Sequence, residues 1–173
     1  MARSAAKHEK MEAFYTLFVY GKHTVDGLVL EISPRKNLGE LGIIQVTGEG
    51  HAYLDGVWGN PKIIADWVEN APEVESPEAA SCISQNGRKA AWIDYIYVDP
   101  TSRGRGIGSK MLMLAMKYLK QLDVGQVWLL AEPESGKDRE RLIGFYQRHG
   151  FGLAPAECRD ERRLIMAAYV FGT

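Results

Sequence analysis

The chain has 173 residues, 46% of them hydrophobic and 25% charged, with a formal net charge of −1. That balance suits one folded domain with its own core, spanning residues 1–173, and excludes a disordered chain or a polycationic nucleic-acid binder. No apolar run approaches the roughly 18 residues of a membrane span, and the opening MARSAAKHEKMEAF lacks an apolar signal segment, so a cytoplasmic protein with no membrane partner is expected.

Residues 1–10 are polar and read as a frayed end. From Phe14 to Ile32 β-branched and aromatic residues dominate, broken by Gly21 and by Asp26-Gly27, which predicts strands joined by a tight turn. LGIIQVTGEGHAYLDGVW adds two short strands around Thr47 to Gly50. A short helix is expected over Ile63 to Asn70, between Pro61 and Pro72. The acidic run Ala65 to Glu78 reads first as a solvated face and second as a lip that attracts a cationic substrate. Charge is divided along the chain: 9 basic against 14 acidic residues over 1–100, and 12 against 8 over 101–173.

SCISQNGRKAAWIDYIYV reads as a hairpin turning at Asn86-Gly87, a pair suited to positive φ. Its second arm, Ala91 to Val98, alternates Trp92, Asp94, Ile96 and Val98 on one face with Ala91, Ile93, Tyr95 and Tyr97 on the other. Both faces are largely apolar, so the arm is expected in the middle of a sheet, with Asp94 a carboxylate among core residues. Apolar positions 107, 111, 112, 114, 115, 118, 119 and 122 predict a helix from Ile107 to Leu122. Gln126 to Ala131 is the next buried strand, Lys137 to His149 a second helix stopped at Gly150, and RLIMAAYVF a last strand. Strand, helix, strand, helix, strand after an antiparallel front half implies mixed α/β with one central sheet. Cys82 and Cys158 lie far apart without ligand spacing and read as reduced thiols. His8, His23, His51 and His149 are scattered, so no metal site is expected.

The stretch DPTSRGRGIGSKM, Asp99 to Met111, places Gly104, Gly106 and Gly108 at a helix start among Arg103, Arg105 and Lys110. A helix N-terminus leaves N–H groups unpaired and carries partial positive charge, and glycines let an anion approach the backbone. The spacing fits neither a dinucleotide fingerprint nor GxxxxGK[ST], and a purely structural glycine loop stays open as an alternative.

YIYVDPTSRGRGIGSKMLMLAMKYLK resembles the acetyl-CoA-binding segment of the GNAT superfamily of N-acyltransferases, whose [QR]-x-x-G-x-[GA] pattern here is Arg103 to Gly108. LIGFYQRHGFGLAP resembles the family's later helix through Tyr146, Gly150 and Phe151, so the signature spans roughly residues 82–170. The resemblance implies a GNAT-like fold: a central mixed, mostly antiparallel sheet flanked by helices, with two strands splayed at the acetyl-CoA site. It implies that Arg103, Gly104, Arg105, Gly106, Ile107, Gly108 and Ser109 hold the pyrophosphate and that the main chain of Ile96 and Val98 meets the pantetheine arm. It also implies direct acetyl transfer from acetyl-CoA, a co-substrate, to a primary amine. Tyr146 is the expected proton donor to the leaving thiolate and a contact of the cofactor. Asp94 is the expected base, its burial by Trp92 and Ile96 raising its pKa, with Glu132 as runner-up through a water. Arg139 stands seven residues before Tyr146, where many relatives carry Asn. A small cationic amine or basic peptide fits the acidic run best. Aminoacyl-tRNA or a modified base fits the near-neutral charge less well, and a regulatory module that binds acetyl-CoA without turnover is the reading from another class. Exposed hairpin arms would also allow a homodimer.

Overall fold

The computed structural model describes residues 20–34, 41–160 and 162–170. Its strands are β1 (Gly21–Val25), β2 (Leu28–Pro34), β3 (Gly42–Gly48), β4 (Ala52–Gly59), β5 (Lys89–Val98), β6 (Val124–Ala131), β7 (Gly152–Leu153) and β8 (Leu164–Tyr169). They form one sheet in the order β1-β2-β3-β4-β5-β6-β8-β7. Every neighbouring pair is antiparallel except β5 and β6. Among the described residues four helices flank the sheet: α1 (Pro61–Asn70), α2 (Pro77–Asn86), α3 (Ile107–Gln121) and α4 (Arg139–Arg148). This is the mixed, mostly antiparallel α/β arrangement expected. The frayed end 1–10, the first residues of the Phe14 to Ile32 run and Phe171 lie outside the described residues.

The tight turn at Asp26-Gly27 joins β1 to β2 with both residues at positive φ, 49° and 78°. Parallel β5 and β6 need a crossover, which α3 supplies. The helix lays Met111, Leu112, Ala115 and Leu119 on the sheet, against Leu30, Ile44, Leu54 and Leu129. The other side of the sheet is covered by α1 and α2, whose Ile64, Val68 and Ile83 pack with Trp92, Trp128 and Ile165. Both large cores therefore meet on β5 and β6, which is why these strands read as apolar on both faces. Among the described residues no helix is long and apolar enough to cross a membrane.

The hairpin expected at Asn86-Gly87 does not form. Residues 77–86 are helix α2, started by Ser76, whose Oγ accepts from Ala79 N–H at 3.3 Å, and by Pro77 in the first turn. Gly87 adopts φ 74° as the helix C-cap. A glycine at positive φ serves a two-residue turn and a helix stop equally well, so the dipeptide could not distinguish them. Buried Gln126 ties the junction down, its Nε2 donating to the carbonyls of Ile83 and Arg88 at 3.1 Å each while its Oε1 accepts from Trp128 Nε1 at 2.8 Å.

The expected alternation of β5 also fails at one residue. Asp55 pairs with Tyr95 but Gly56 pairs with Ile93, so Asp94 is the extra residue of a β-bulge. A Cβ at Gly56 would meet the Trp92 carbonyl oxygen at 2.9 Å, so the backbones approach too closely there for a side chain. The bulge shifts the side-chain parity. Ala91 and Ile93 face the α3 core, and beyond the bulge Ile96 and Val98 do so, leaving Tyr95 and Tyr97 on the α1 side.

Cys82 and Cys158 are not free thiols but a disulfide, with Cα atoms 5.7 Å apart across a sequence separation of 76. It joins α2 to the short 3₁₀ turn Ala156–Cys158 after β7. Spacing in the chain says nothing of this proximity, which arises because both segments pack on one sheet face.

Candidate active site

The parallel ladder between β5 and β6 runs from Lys89↔Val124 to Ile93↔Leu129 and stops. Beyond it β5 continues to Val98 and β6 to Ala131 without pairing to each other, so the two strands part. The gap opens into a cleft of about 670 Å³. Ile96, Val98, Ile107 and Phe145 line it from the α3 side, and Asp94, Tyr95, Tyr97 and Leu130 are also in its wall. The cleft thus has walls from both faces of the sheet.

The chain leaves β5 through a tight turn. Asp99 Oδ1 accepts from the Thr101 N–H at 2.9 Å and from its hydroxyl at 2.6 Å, and these bonds hold the carboxyl below its ordinary range. Gly104 and Gly106 then take φ 80° and 76°. Gly106 is the N-cap of α3, and no side chain caps that end. The helical ladder at this terminus begins with Lys110 N–H donating to the Gly106 carbonyl at 3.0 Å. The amides of Ile107, Gly108 and Ser109 have no acceptor within the helix, and all three residues line the cleft. A Cβ on Gly108 would sit 3.5 Å from Val98 Cγ2, an ordinary contact, so this position is not closed to a side chain.

Tyr146 reaches the cleft from α4, buried against Phe145 and Phe151 with ring centroids 5.1 and 5.9 Å away. Desolvation pushes its phenol up to about 12, so it stays protonated at neutral pH. Asp94 and Glu132 line the same cleft. Asp94 is exposed, not buried as expected: the bulge turns it out of the core, and its Oδ1 accepts from Trp67 Nε1 at 3.1 Å. Of the expected cofactor residues, Ile96, Val98, Arg103, Gly104, Gly106, Ile107, Gly108 and Ser109 line the cleft, while Arg105 is exposed away from it.

With this geometry in view, the comparison with known proteins is specific. The description "Acetyltransferase (GNAT) family" matches residues 70–151, from the end of α1 to the residue before β7. Over that segment the chain is similar to the GNAT superfamily. An uncharacterised N-acetyltransferase of Methanocaldococcus jannaschii is 36% identical over 66 residues, which are 37% of this chain and 26% of that protein. The chain therefore spans about a quarter of that relative's length. Similar solved structures include the PaiA N-acetyltransferase of Thermoplasma acidophilum in complex with coenzyme A, at 13% identity and TM-score 0.44, covering 76% of this chain and 62% of that one. Arabidopsis thaliana NAA60 in complex with a bisubstrate analogue is 16% identical at TM-score 0.47, covering 79% of each chain.

The cleft also holds residues that sequence reasoning passed over. Arg141 and Arg148 line it, whereas Arg139 does not. They lie on the face of α4 that carries Phe145, and the helical period of that face was the available signal. Ser109 Oγ and His149 Nε2 are 2.8 Å apart, joining the first turn of α3 to the end of α4. Desolvation, then the neighbouring Arg148 charge, lowers the His149 pKa and favours the neutral ring.

Arg103 is already engaged. Its Nε donates to the Val98 carbonyl at 2.9 Å, and its Nη1 and Nη2 donate to the Glu134 carboxylate at 3.2 and 2.7 Å. The pair bridges from the end of β5 to the segment after β6, across the mouth of the gap. The Arg103 hydrogen bond, then its charge, holds the Glu134 carboxyl below the usual range. An exposed pair of this kind is screened by solvent and contributes little. Glu134→Gln is therefore expected to tighten acetyl-CoA binding by up to about fivefold at low salt, with the gain fading as salt rises. Equilibrium titration at two ionic strengths checks it, and weaker binding in the variant would mean that the bridge organises the start of α3.

Proposed function

We propose that the chain is an acetyl-CoA-dependent N-acetyltransferase, one domain over residues 1–173, that acts on the primary amine of a small cationic acceptor or a basic peptide. The observation that carries the reading is the uncapped N-terminus of α3, with Gly106 as its N-cap, opening onto the gap between β5 and β6. That end offers unpaired amides and a partial positive charge, which suit a diphosphate. Arg103, Arg141 and Arg148 add charge around the same cleft, and its volume suits an extended ligand. The β5 segment after Ile93 has no β6 partner, which leaves strand edge for a pantetheine amide. These residues fit acetyl-CoA.

Bound acetyl-CoA supplies an activated acetyl thioester from which an amine gains an amide bond as the thiol departs. Tyr146, neutral through the physiological range, is the residue suited to give a proton to the leaving sulfur. Asp94 is suited to attract the acceptor's ammonium and take its proton, and Glu132 is the second candidate through a water. An activated thioester asks for no metal. A cytoplasmic location belongs to the reading because the donor is an acyl-CoA, and the Cys82–Cys158 disulfide pulls against it. A homodimer loses its stated ground, since the hairpin that suggested it is a helix followed by a strand.

Acetyl-CoA mixed with the protein and a panel of amines, while CoA thiol release is followed, tests the transfer. Release with at least one amine is expected. Tight acetyl-CoA binding without release from any amine would leave a cofactor-binding module. Asp94→Asn keeps an oxygen for Trp67 and removes only the charge, so a kcat loss of about 10- to 100-fold with acetyl-CoA affinity retained is expected. Turnover at the parental rate would move the role to Glu132.

A further inference from the structure

Three tyrosines beside the cleft have no part in the chemistry above. On β4, Ala52 and Leu54 point into the α3 core, so Tyr53 and Asp55 between them face the other side. The bulge at Asp94 brings Tyr95 and Tyr97 onto that same side, and the register sets Tyr53 opposite Tyr97 and Asp55 opposite Tyr95. The rings gather closely: centroids are 5.3 Å apart for Tyr53 and Tyr95, 5.4 Å for Tyr53 and Tyr97, and 6.2 Å for Tyr95 and Tyr97. Rings packed only for stability would be covered, yet Tyr53 is 36% and Tyr95 46% exposed. Tyr95 and Tyr97 line the cleft with Asp94 between them and Ile93.

We infer that the acceptor carries a second cationic group, a few methylenes from its reacting nitrogen, held on the patch of Tyr53, Tyr95, Tyr97 and Asp55. The inference rests on the N-acetyltransferase reading of the same cleft. Aromatic faces attract ammonium through their quadrupoles, phenolic oxygens accept its hydrogen bonds, and Asp55 supplies the opposite charge. Among the described residues Asp55 makes no ion pair. The Tyr53 phenol is raised above its ordinary value by partial desolvation, then by its hydrogen bond to Tyr95 and its interactions with Tyr95 and Tyr97, and least by Asp55. Spacing limits the ligand. Opposite residues are about 5 Å apart and successive ones about 3.3 Å, so the patch begins about 3 Å and ends about 11 Å from Asp94. A spacer of about three to five methylenes falls within that range. A neutral alkyl tail would gain only ring contact and would leave Asp55 without a partner.

Isothermal titration of the protein with 1,4-diaminobutane and with n-pentylamine, equal in heavy-atom count but different in charge, tests the inference. The diamine is expected to bind about tenfold more tightly at low salt, as one partly exposed cation site would give. In Tyr53→Leu and Asp55→Asn that preference should shrink to less than about threefold, with unchanged melting temperatures showing that the fold is intact. Equal affinity of the two amines for the parental protein overturns the inference, as does a preference that survives both substitutions. Thiol release from acetyl-CoA is measured separately with the same two amines. Its absence with both would overturn the transfer reading, while the titration still reports the cation preference.

Discussion

Tyr146→Phe is expected to lower kcat by about 10²-fold or more while acetyl-CoA affinity changes little. Proton donation by a positioned side chain contributes about 10²–10⁴-fold, and a thiolate, already a fair leaving group, puts the expectation at the low end. The ring packs on Phe145 and Phe151, contacts that phenylalanine keeps, so the variant removes the hydroxyl and little else. Because burial raises the phenol to about 12, no descending limb from this group should appear below pH 10 in a kcat profile. The sign for stability follows. The folded state holds this proton more tightly than the unfolded chain, so the contribution is full below pH 10.0 and is lost as pH rises through about 12. A parental kcat in the variant would remove Tyr146 as donor and leave it as a packing residue.

Removing the Cys82–Cys158 bond, by reduction or by Cys82→Ala with Cys158→Ala, should have the largest effect on stability. The bond closes a loop across a separation of 76 residues. Cross-links of that kind contribute typically 2–4 kcal/mol, roughly 4.5 in the chain-entropy account. For a chain of this size that corresponds to a fall in Tm of roughly 5–15 °C, read from thermal melts with and without reductant. The bond anchors α2, which packs with α1, and α1 presents Trp67 to Asp94. A reduced protein should therefore lose order first on the acceptor side of the cleft, while Gly106 and its neighbours on α3 stay protected from hydrogen exchange. Superimposable melts under both conditions would mean that the link adds no stability.

How far the site could be read from sequence depended on whether its parts were local. The place of Gly104, Gly106 and Gly108 on the cleft was legible because they lie together at one helix start. The place of Tyr146 in the cleft wall was legible for a similar reason, carried by the short stretch from Leu142 to Phe151. The environment of Asp94 was misread because strand alternation assumes an unbroken pleat, and a single inserted residue reverses it. The bulge depends on Gly56, a residue 38 positions earlier, which no local pattern around Asp94 reveals. Asn86-Gly87 was misread because one backbone conformation serves two kinds of chain reversal, and Ser76-Pro77, the helix start that decides between them, lies ten residues upstream.

Within the chain taken as a string, apolar periods laid out most of the strands and helices, and the order of elements implied a mixed sheet with a crossover at α3. Local glycine and charge chemistry pointed to an anion at that helix. Only the folded molecule decided which side of the sheet Tyr95 and Tyr97 occupy, that Cys82 meets Cys158, that Arg103 spans from Val98 to Glu134, and that His149 comes to Ser109. Each of these depends on segments far apart in sequence. Local propensity acts over a few residues, whereas such contacts arise from burying two apolar faces of one sheet at once, and that satisfaction exists only when the whole sheet has assembled.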